Sequence, residues 1–244
     1  MTRTQIAVTI GNLIGTIHLS LAIDAFWRWK FHYPYLPIDY AAKTVHGIHP
    51  LLSWSILFAA ITGASLWLSS LATGWTTNWM AFRSLPGAIA SSRGIREAIG
   101  DNMAHRLSYF VKSHLSGIAG YTVLGFLLGF IPVFSKFLGI AYEVRHVTLA
   151  AASVAYGWSS LFWNHRLEPL DVLWSAIGIG VVGFFNFATA FSLGLWLAMR
   201  SRSINYRSRV QLLRGLWHEL THHPARFFFP KKTTPNQAKA VAHT

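Results

Sequence analysis

Five stretches of this sequence are apolar over about the length that crosses a lipid bilayer, and that constrains the fold more than any motif. A span needs about 20 mostly apolar residues at a helical rise of about 1.5 Å. The runs are about Ile6 to Phe26, Leu51 to Leu71, Leu115 to Phe134, Val147 to Trp163 and Val172 to Met199. The second lies inside an uncharged stretch from Pro50 to Phe82; the fourth is short, and the fifth is long enough to tilt or to project. Tryptophans sit near several run ends, among them Trp27, Trp29, Trp75, Trp79, Trp158, Trp163, Trp174 and Trp196, where amphipathic rings prefer the interface. Lipid offers the backbone no hydrogen-bond partner, so spans of this length are helices. The expected fold is all-α: a polytopic helical membrane bundle of four or five transmembrane helices with amphipathic interfacial helices. Composition agrees, at 52% hydrophobic and only 12% charged residues, against about 25% charged in soluble domains.

The N-terminal run begins like a signal peptide, with one arginine before an apolar stretch. It is too long for an h-region, carries Asn12 and His18, and closes on Asp24, Phe26 and Trp27 rather than on a small-residue cleavage pattern. It reads as a retained first span. Cysteine is absent, which excludes disulfides, thiolate metal sites, iron–sulfur clusters and cysteine nucleophiles.

The connections differ in kind. Residues 28–49 hold two prolines and five aromatics and suit an interfacial loop. Within 83–114, after Pro86, apolar positions Ile89, Ile95, Ile99, Met103, Leu107 and Phe110 recur at roughly helical spacing with basic residues between them. That pattern predicts one or two amphipathic helices on the membrane surface. The chain divides into a transmembrane region, 1–200, and a basic tail, 201–244, expected to be cytoplasmic.

The net charge is +13 with histidine neutral. In a soluble protein such a balance points to nucleic acid. Here the basic residues sit in loops and the tail, so the partner they fit is anionic membrane lipid, each contributing about 1 kcal/mol near the surface. Specific nucleic-acid binding is not expected. Orientation is strained: from Arg200 the tail carries nine Lys or Arg, and the 83–114 loop carries five. Basic loops gather on the cytoplasmic side, yet five crossings would put these two on opposite faces. The short fourth run, or the glycine- and proline-interrupted third, is a candidate re-entrant segment.

Several strings match catalytic motifs. His218-Glu219-Leu220-Thr221-His222 is an H-E-x-x-H, which on a helix sets two imidazoles on one face beside a carboxylate. Pro224 follows two residues later, and the only later conventional ligands are the adjacent His223 and the distant His243, so a basic juxtamembrane helix that happens to spell the motif explains it better. Gly178 to Gly183 spells G-x-G-x-x-G within an uninterrupted apolar run, where no strand precedes it; close helix packing accounts for it better. Gly125-x-x-x-Gly129 and Gly11-x-x-x-Gly15 read as further small-residue faces. His46 and His49 flank Gly47 before Pro50, and with His18, His114 and His146 could in principle build a metal or haem site. Gly47 and Pro50 break the helix that would fix their spacing, so capping and interfacial hydrogen bonds are expected of them instead. No metal, cofactor or catalytic residue is assigned.

The charged group between the third and fourth runs resists dismissal. An arginine at bilayer depth costs about 2.5–3.5 kcal/mol on insertion scales and keeps a partner. For Arg145, Glu143 is two residues away and off the same helical face, leaving Asp24, Asp39 or a carbonyl. Arg145 and His146 are either part of a substrate, ion or proton path or an interfacial pair snorkelling to headgroups. Asn12, Asn78 and Asn186 are candidate interhelical hydrogen-bond glue. The polar candidates are therefore Asn12, His18, Asp24, His46, His49, Asn78, Arg145, His146 and Asn186.

Six blocks in order carry a resemblance: Leu68–Trp79, Phe82–Ala90, Ser116–Phe130, Phe137–Ala150 (with EVRHVTLA), Asn186–Arg200 and His223–Pro230. Together they resemble the C-terminal membrane part of bacterial proteins grouped as the site-specific recombinase transmembrane family. The resemblance implies a multi-pass protein of the bacterial inner membrane. Members are generally longer, with a large N-terminal region, and any activity housed there lies outside the part matched. The family name does not bring recombinase chemistry with it. Tyrosine recombinases need an H-x-x-R box and a later tyrosine; His223-Pro224-Ala225-Arg226 spells the box, but no tyrosine follows Tyr206. Serine recombinases need a soluble catalytic domain, and no segment is long and polar enough. The sequence therefore reads as a membrane-embedded structural or interaction protein, or a transport component, assembling with itself or another membrane protein. A membrane metalloenzyme is the alternative and a membrane-tethered DNA-binding factor the third reading.

Overall fold

The computed structural model describes residues 2–203 and 205–222, side chains at 2–8, Tyr206, Arg209 and Leu220 excepted. Among these residues the chain forms helices and no strand: α1 (Thr2–Phe31), α2 (Ile38–His46), α3 (Ser55–Phe82), α4 (Leu85–Ser91), α5 (Arg93–Ile99), α6 (Asp101–Phe137), α7 (Val147–Trp163), α8 (Pro169–Ser201) and α9 (Tyr206–His222). Four of them, α1, α3, α6 and α8, are long and apolar enough to cross a membrane. The fold is the all-α helical bundle that the apolar runs imply.

The long helices alternate in direction. Ile48 meets Gly178, and Asn186 and Thr189 meet Gly63, while Trp67 meets Gly194, so α3 and α8 run parallel. Gly120 of α6 lies on Thr73, and Ser69 donates to the Gly120 carbonyl at 2.8 Å. Tyr142, just beyond α6, reaches Phe58 and Thr62 near the start of α3, so α6 is antiparallel to α3. Val147 against Gly183 and Trp158 bonded to Ser175 make α7 antiparallel to α8. Asp24 bonds Ser159, and Leu13 and Ile17 pack on the cluster holding Ala150 and Val154, so α1 is parallel to α7. One end of the bundle thus gathers the start of α1, the α4–α5 region and the end of α8. The other gathers the α1–α3 link, the end of α6 and the α7–α8 turn.

Small residues decide which faces pack. In α3, Ser55, Ala59, Thr62, Thr76 and Met80 are buried at three- and four-residue spacings. α7 is built from alanine, serine and glycine, and eight of its residues are buried: Ala150, Ala151, Val154, Ala155, Gly157, Ser159, Ser160 and Leu161. It packs on α1, α2 and α8. Ile48, Ala59, Ala150, Ala151, Val154, Ile179 and Val182 form the main apolar core around it. Without a hydrophobic drive between helices in lipid, close backbone approach through small side chains is what holds them.

The sequence expectations are corrected in two places. Residues 83–114 do contain two surface helices, α4 and α5, but 101–114 is the continuous start of the 37-residue α6 rather than a separate helix. The third apolar run is uninterrupted despite Pro132, which α6 accommodates near its end. The irregular element is the link after it. Gly139 takes a left-handed φ of 72°; Ile140 N–H bonds the Ser135 carbonyl at 2.8 Å and Gly139 N–H bonds that of Lys136 at 3.0 Å. This Schellman turn ends α6 and sends residues 140–146 back along the bundle without helix.

Candidate functional site

The returning segment ends in a polar knot around Arg145. Its guanidinium Nη2 donates to the Gly47 carbonyl at 2.8 Å and to Glu143 Oε2 at 2.6 Å, with the side chain 12% exposed. Its backbone is fixed as well: Arg145 N–H donates to Thr62 Oγ1 at 3.3 Å, and Asn186 Nδ2 donates to the Arg145 carbonyl at 2.7 Å and to Val182 at 2.9 Å. Thr62 Oγ1 donates to the Phe58 carbonyl at 2.9 Å, so Tyr142 OH, 3.1 Å away, is the donor to Thr62. Ser55 Oγ adds a second donor to Gly47 O at 3.1 Å. Both backbone groups of Arg145 are thus satisfied by side chains of α3 and α8. Arg145 Nε and Asn186 Oδ1 are buried and make no hydrogen bond within the protein.

The pairing of Arg145 with Glu143 corrects the sequence expectation. Helical spacing separates residues two apart, but 140–146 is not helical, and in an extended chain alternate side chains share a side. Asp24 serves a different cation. It is fully buried, accepting from Arg28 Nε at 2.7 Å, Ser159 Oγ at 2.6 Å and the Tyr35 N–H at 2.9 Å. That carboxylate ties α1, the 32–37 link and α7 together. Next to it a cavity of about 590 Å³ is lined by Arg28, His32, Asn164, Trp29 and Trp163 among others.

The remaining candidates scatter. His146 is the residue before α7, half-buried, with Nδ1 2.7 Å from Thr148 Oγ1. His46 reaches Asp171 at 3.1 Å, and Asp171 also closes the capping box with Glu168 at the start of α8. His49 accepts from the N–H groups of Leu51 and Leu52, both at 3.2 Å, and its ring lies 4.7 Å from Trp174. His46 thus meets the start of α8, and His49 meets the turn that leads into α3. Asn12, His18 and Asn78 are exposed on their helices, and His18 bonds only the Ile14 carbonyl of its own helix, at 2.8 Å. Among the described residues Asn12 and Asn78 bridge no helices, and of the three asparagines it is Asn186 that joins separate elements.

The H-E-x-x-H lies at the end of α9, which among the described residues packs closely on no other helix. The His218 and His222 rings stack with centroids 4.2 Å apart, and His222 Nδ1 lies 3.1 Å from the His218 carbonyl. Among the described residues no group of three or more His, Asp or Glu is arranged to hold a metal ion. His223–Arg226 and His243 lie outside the described residues. On the surface helices, the Asp101 carboxylate bonds Arg96 and holds its guanidinium more firmly protonated than usual.

Sequence reasoning missed Thr62, Tyr142, Ser55, Arg28 and Ser159. The signal available was the recurrence of small residues at helical spacing, Ser55, Ala59, Thr62 and Ser65 in α3 and Ala150, Ala151, Val154 and Ala155 in α7, which marks the packed faces. The glycines carry a similar signal. A Cβ at Gly63 would stand 2.8 Å from Asn186 O, one at Gly157 2.8 Å from Val45 Cγ2, and one at Gly178 would overlap the Ile48 carbonyl. Gly178 and Gly183 are packing positions as expected, whereas Gly11, Gly15, Gly125, Gly129 and Gly180 have open space where a Cβ would go.

No curated protein and no solved structure matches this chain. The profile of the family described as site-specific recombinase matches residues 1–230, nearly the whole of the 244 residues. The chain therefore belongs to the site-specific recombinase family, with the architecture of a helical membrane protein.

Proposed function

We propose that this chain is a structural and interaction component of a membrane, assembling with a second copy of itself through glycine faces on α1 and α6. The observation that carries the reading is the division among its glycines. Those at 63, 120, 157, 178 and 183 are filled by neighbouring elements of the same chain, while Gly11 and Gly15 on α1 and Gly125 and Gly129 on α6 meet nothing. The most apolar window of α6 is 6% buried and that of α1 11%. On α1, exposed Asn12 and His18 share the region of the open glycines, and polar groups at that depth favour a protein partner over lipid tails. Small-xxx-small faces are a common route to helix association in membranes, and a second copy is the commonest partner.

The test is direct because the open positions are sterically free in one chain. Gly125→Leu with Gly129→Leu, and separately Gly11→Leu with Gly15→Leu, should leave the monomer folded and reduce oligomer mass by light scattering in detergent. Unchanged mass in both pairs counts against the reading. A metalloprotease at 218–222 has less support, because among the described residues no group of three or more His, Asp or Glu is arranged to hold a metal ion.

A further inference from the structure

The depth of α7 bears on how the chain sits in a membrane. Val147 packs on Gly183, and Asn186 holds the Arg145 carbonyl. Gly183 lies fourteen residues into α8, about 20 Å from its start. α7 therefore begins near the middle of a bundle whose long helices cross it fully, and it runs back to the same end at which α6 stopped. The Schellman turn at Gly139 makes the reversal, and the Arg145 knot satisfies the backbone that dips inward.

We infer that α7 is a re-entrant helix, so that the chain crosses four times and presents its strongly basic segments on one face, docked on an anionic leaflet. With four alternating crossings, 83–114 and the described chain from Arg200 to His222 share a face. Those two segments hold ten Lys or Arg against three acids, Glu97, Asp101 and Glu219. The opposite end is nearly balanced: residues 24–54, 136–146 and 164–171 carry six basic and five acidic residues. Five crossings would split the basic segments between faces, which the charge bias of membrane proteins opposes. α9 is suited to the same leaflet. Its Val210, Leu213 and Trp217 line one side, Leu213 and Trp217 are 44% and 67% exposed, and Arg207 and Arg214 flank them. A basic amphipathic helix without a packed partner lies in a membrane interface, and each basic residue adds to its hold on anionic lipid.

The inference is independent of self-assembly. The natural absence of cysteine makes it testable with single cysteines in vesicles and an impermeant maleimide. Leu138→Cys and Arg166→Cys flank α7; Ser91→Cys and Ser208→Cys mark the basic segments. The first two should react from one face and the last two from the other. Reaction of Leu138→Cys and Arg166→Cys from opposite faces would make α7 a full crossing and overturn the inference. For the lipid, an environment-sensitive dye on Ser208→Cys should shift toward apolar emission in vesicles of phosphatidylcholine with phosphatidylglycerol, and salt should reverse the shift. The same emission in phosphatidylcholine alone would overturn the anionic-leaflet half.

Discussion

α6 and α7 follow one another, both read as apolar runs, and the protein uses them in opposite ways. α6 carries bulky residues, with Phe126, Phe130 and Phe134 stacked along an exposed side, and its most apolar window is 6% buried. α7 is shorter, made of small residues, and buries eight of seventeen. Apolarity therefore does not measure burial in a membrane bundle. Lipid receives the large side chains as readily as a core does, and only the small ones let backbones approach. The same division separates the two polar knots from exposed Asn12, His18 and Asn78: a polar side chain has work within the chain only where a small-residue face brings a partner near.

The comparison can be broken most forcefully at the knot that lets α7 begin at depth. Arg145→Ala would remove the cation from the Gly47 carbonyl and from half-exposed Glu143 and loosen 140–146; the expected loss is about 1.5–3 kcal/mol, read as early loss of monodispersity on heating in detergent. Asp24→Asn removes the charge that joins α1 to α7 and should cost about 1–3 kcal/mol by the same assay. Gly157→Leu in α7 should cost about 1–3 kcal/mol through overpacking on Val45, whereas Gly125→Leu in α6 should move monomer stability by no more than about 0.5 kcal/mol. Equal effects of those two leucines would erase the distinction between the helices. A smaller loss than that of Gly157→Leu is expected of Gly139→Ala, about 1 kcal/mol for placing a side chain at a left-handed φ, read as a lower melting temperature.

The sequence displayed the helices better than the knots. Long uncharged runs and their flanking tryptophans are local signals, and the four helices long and apolar enough to cross a membrane follow from them. The uneven fourth run was visible, and its shortness already made it a candidate for turning back. Asp24, Arg145 and Asn186 stood out as polar groups in apolar surroundings. Their partners did not, because Arg145 meets Gly47 and Thr62, and Asp24 meets Ser159, across separations of 98, 83 and 135 residues. No periodicity encodes such pairings. Glu143 was discounted by assuming helix where the Schellman turn at Gly139 leaves extended chain. The stripe of Ser55, Ala59, Thr62, Thr76 and Met80 was readable in principle, as small residues at helical spacing inside an apolar run.

The account stands on α7 beginning halfway along α8. A Cβ built at Gly183 lies 3.8 Å from Val147 Cβ, close to the mean Cβ separation of about 3.8 Å in disulfides. In the cysteine-free chain, Val147→Cys with Gly183→Cys should close to a disulfide on mild oxidation in membranes, seen as a reducible mobility change in the single chain. Failure of that pair to cross-link, with each single cysteine folded and reactive, would contradict the placement of α7 and the architecture built on it.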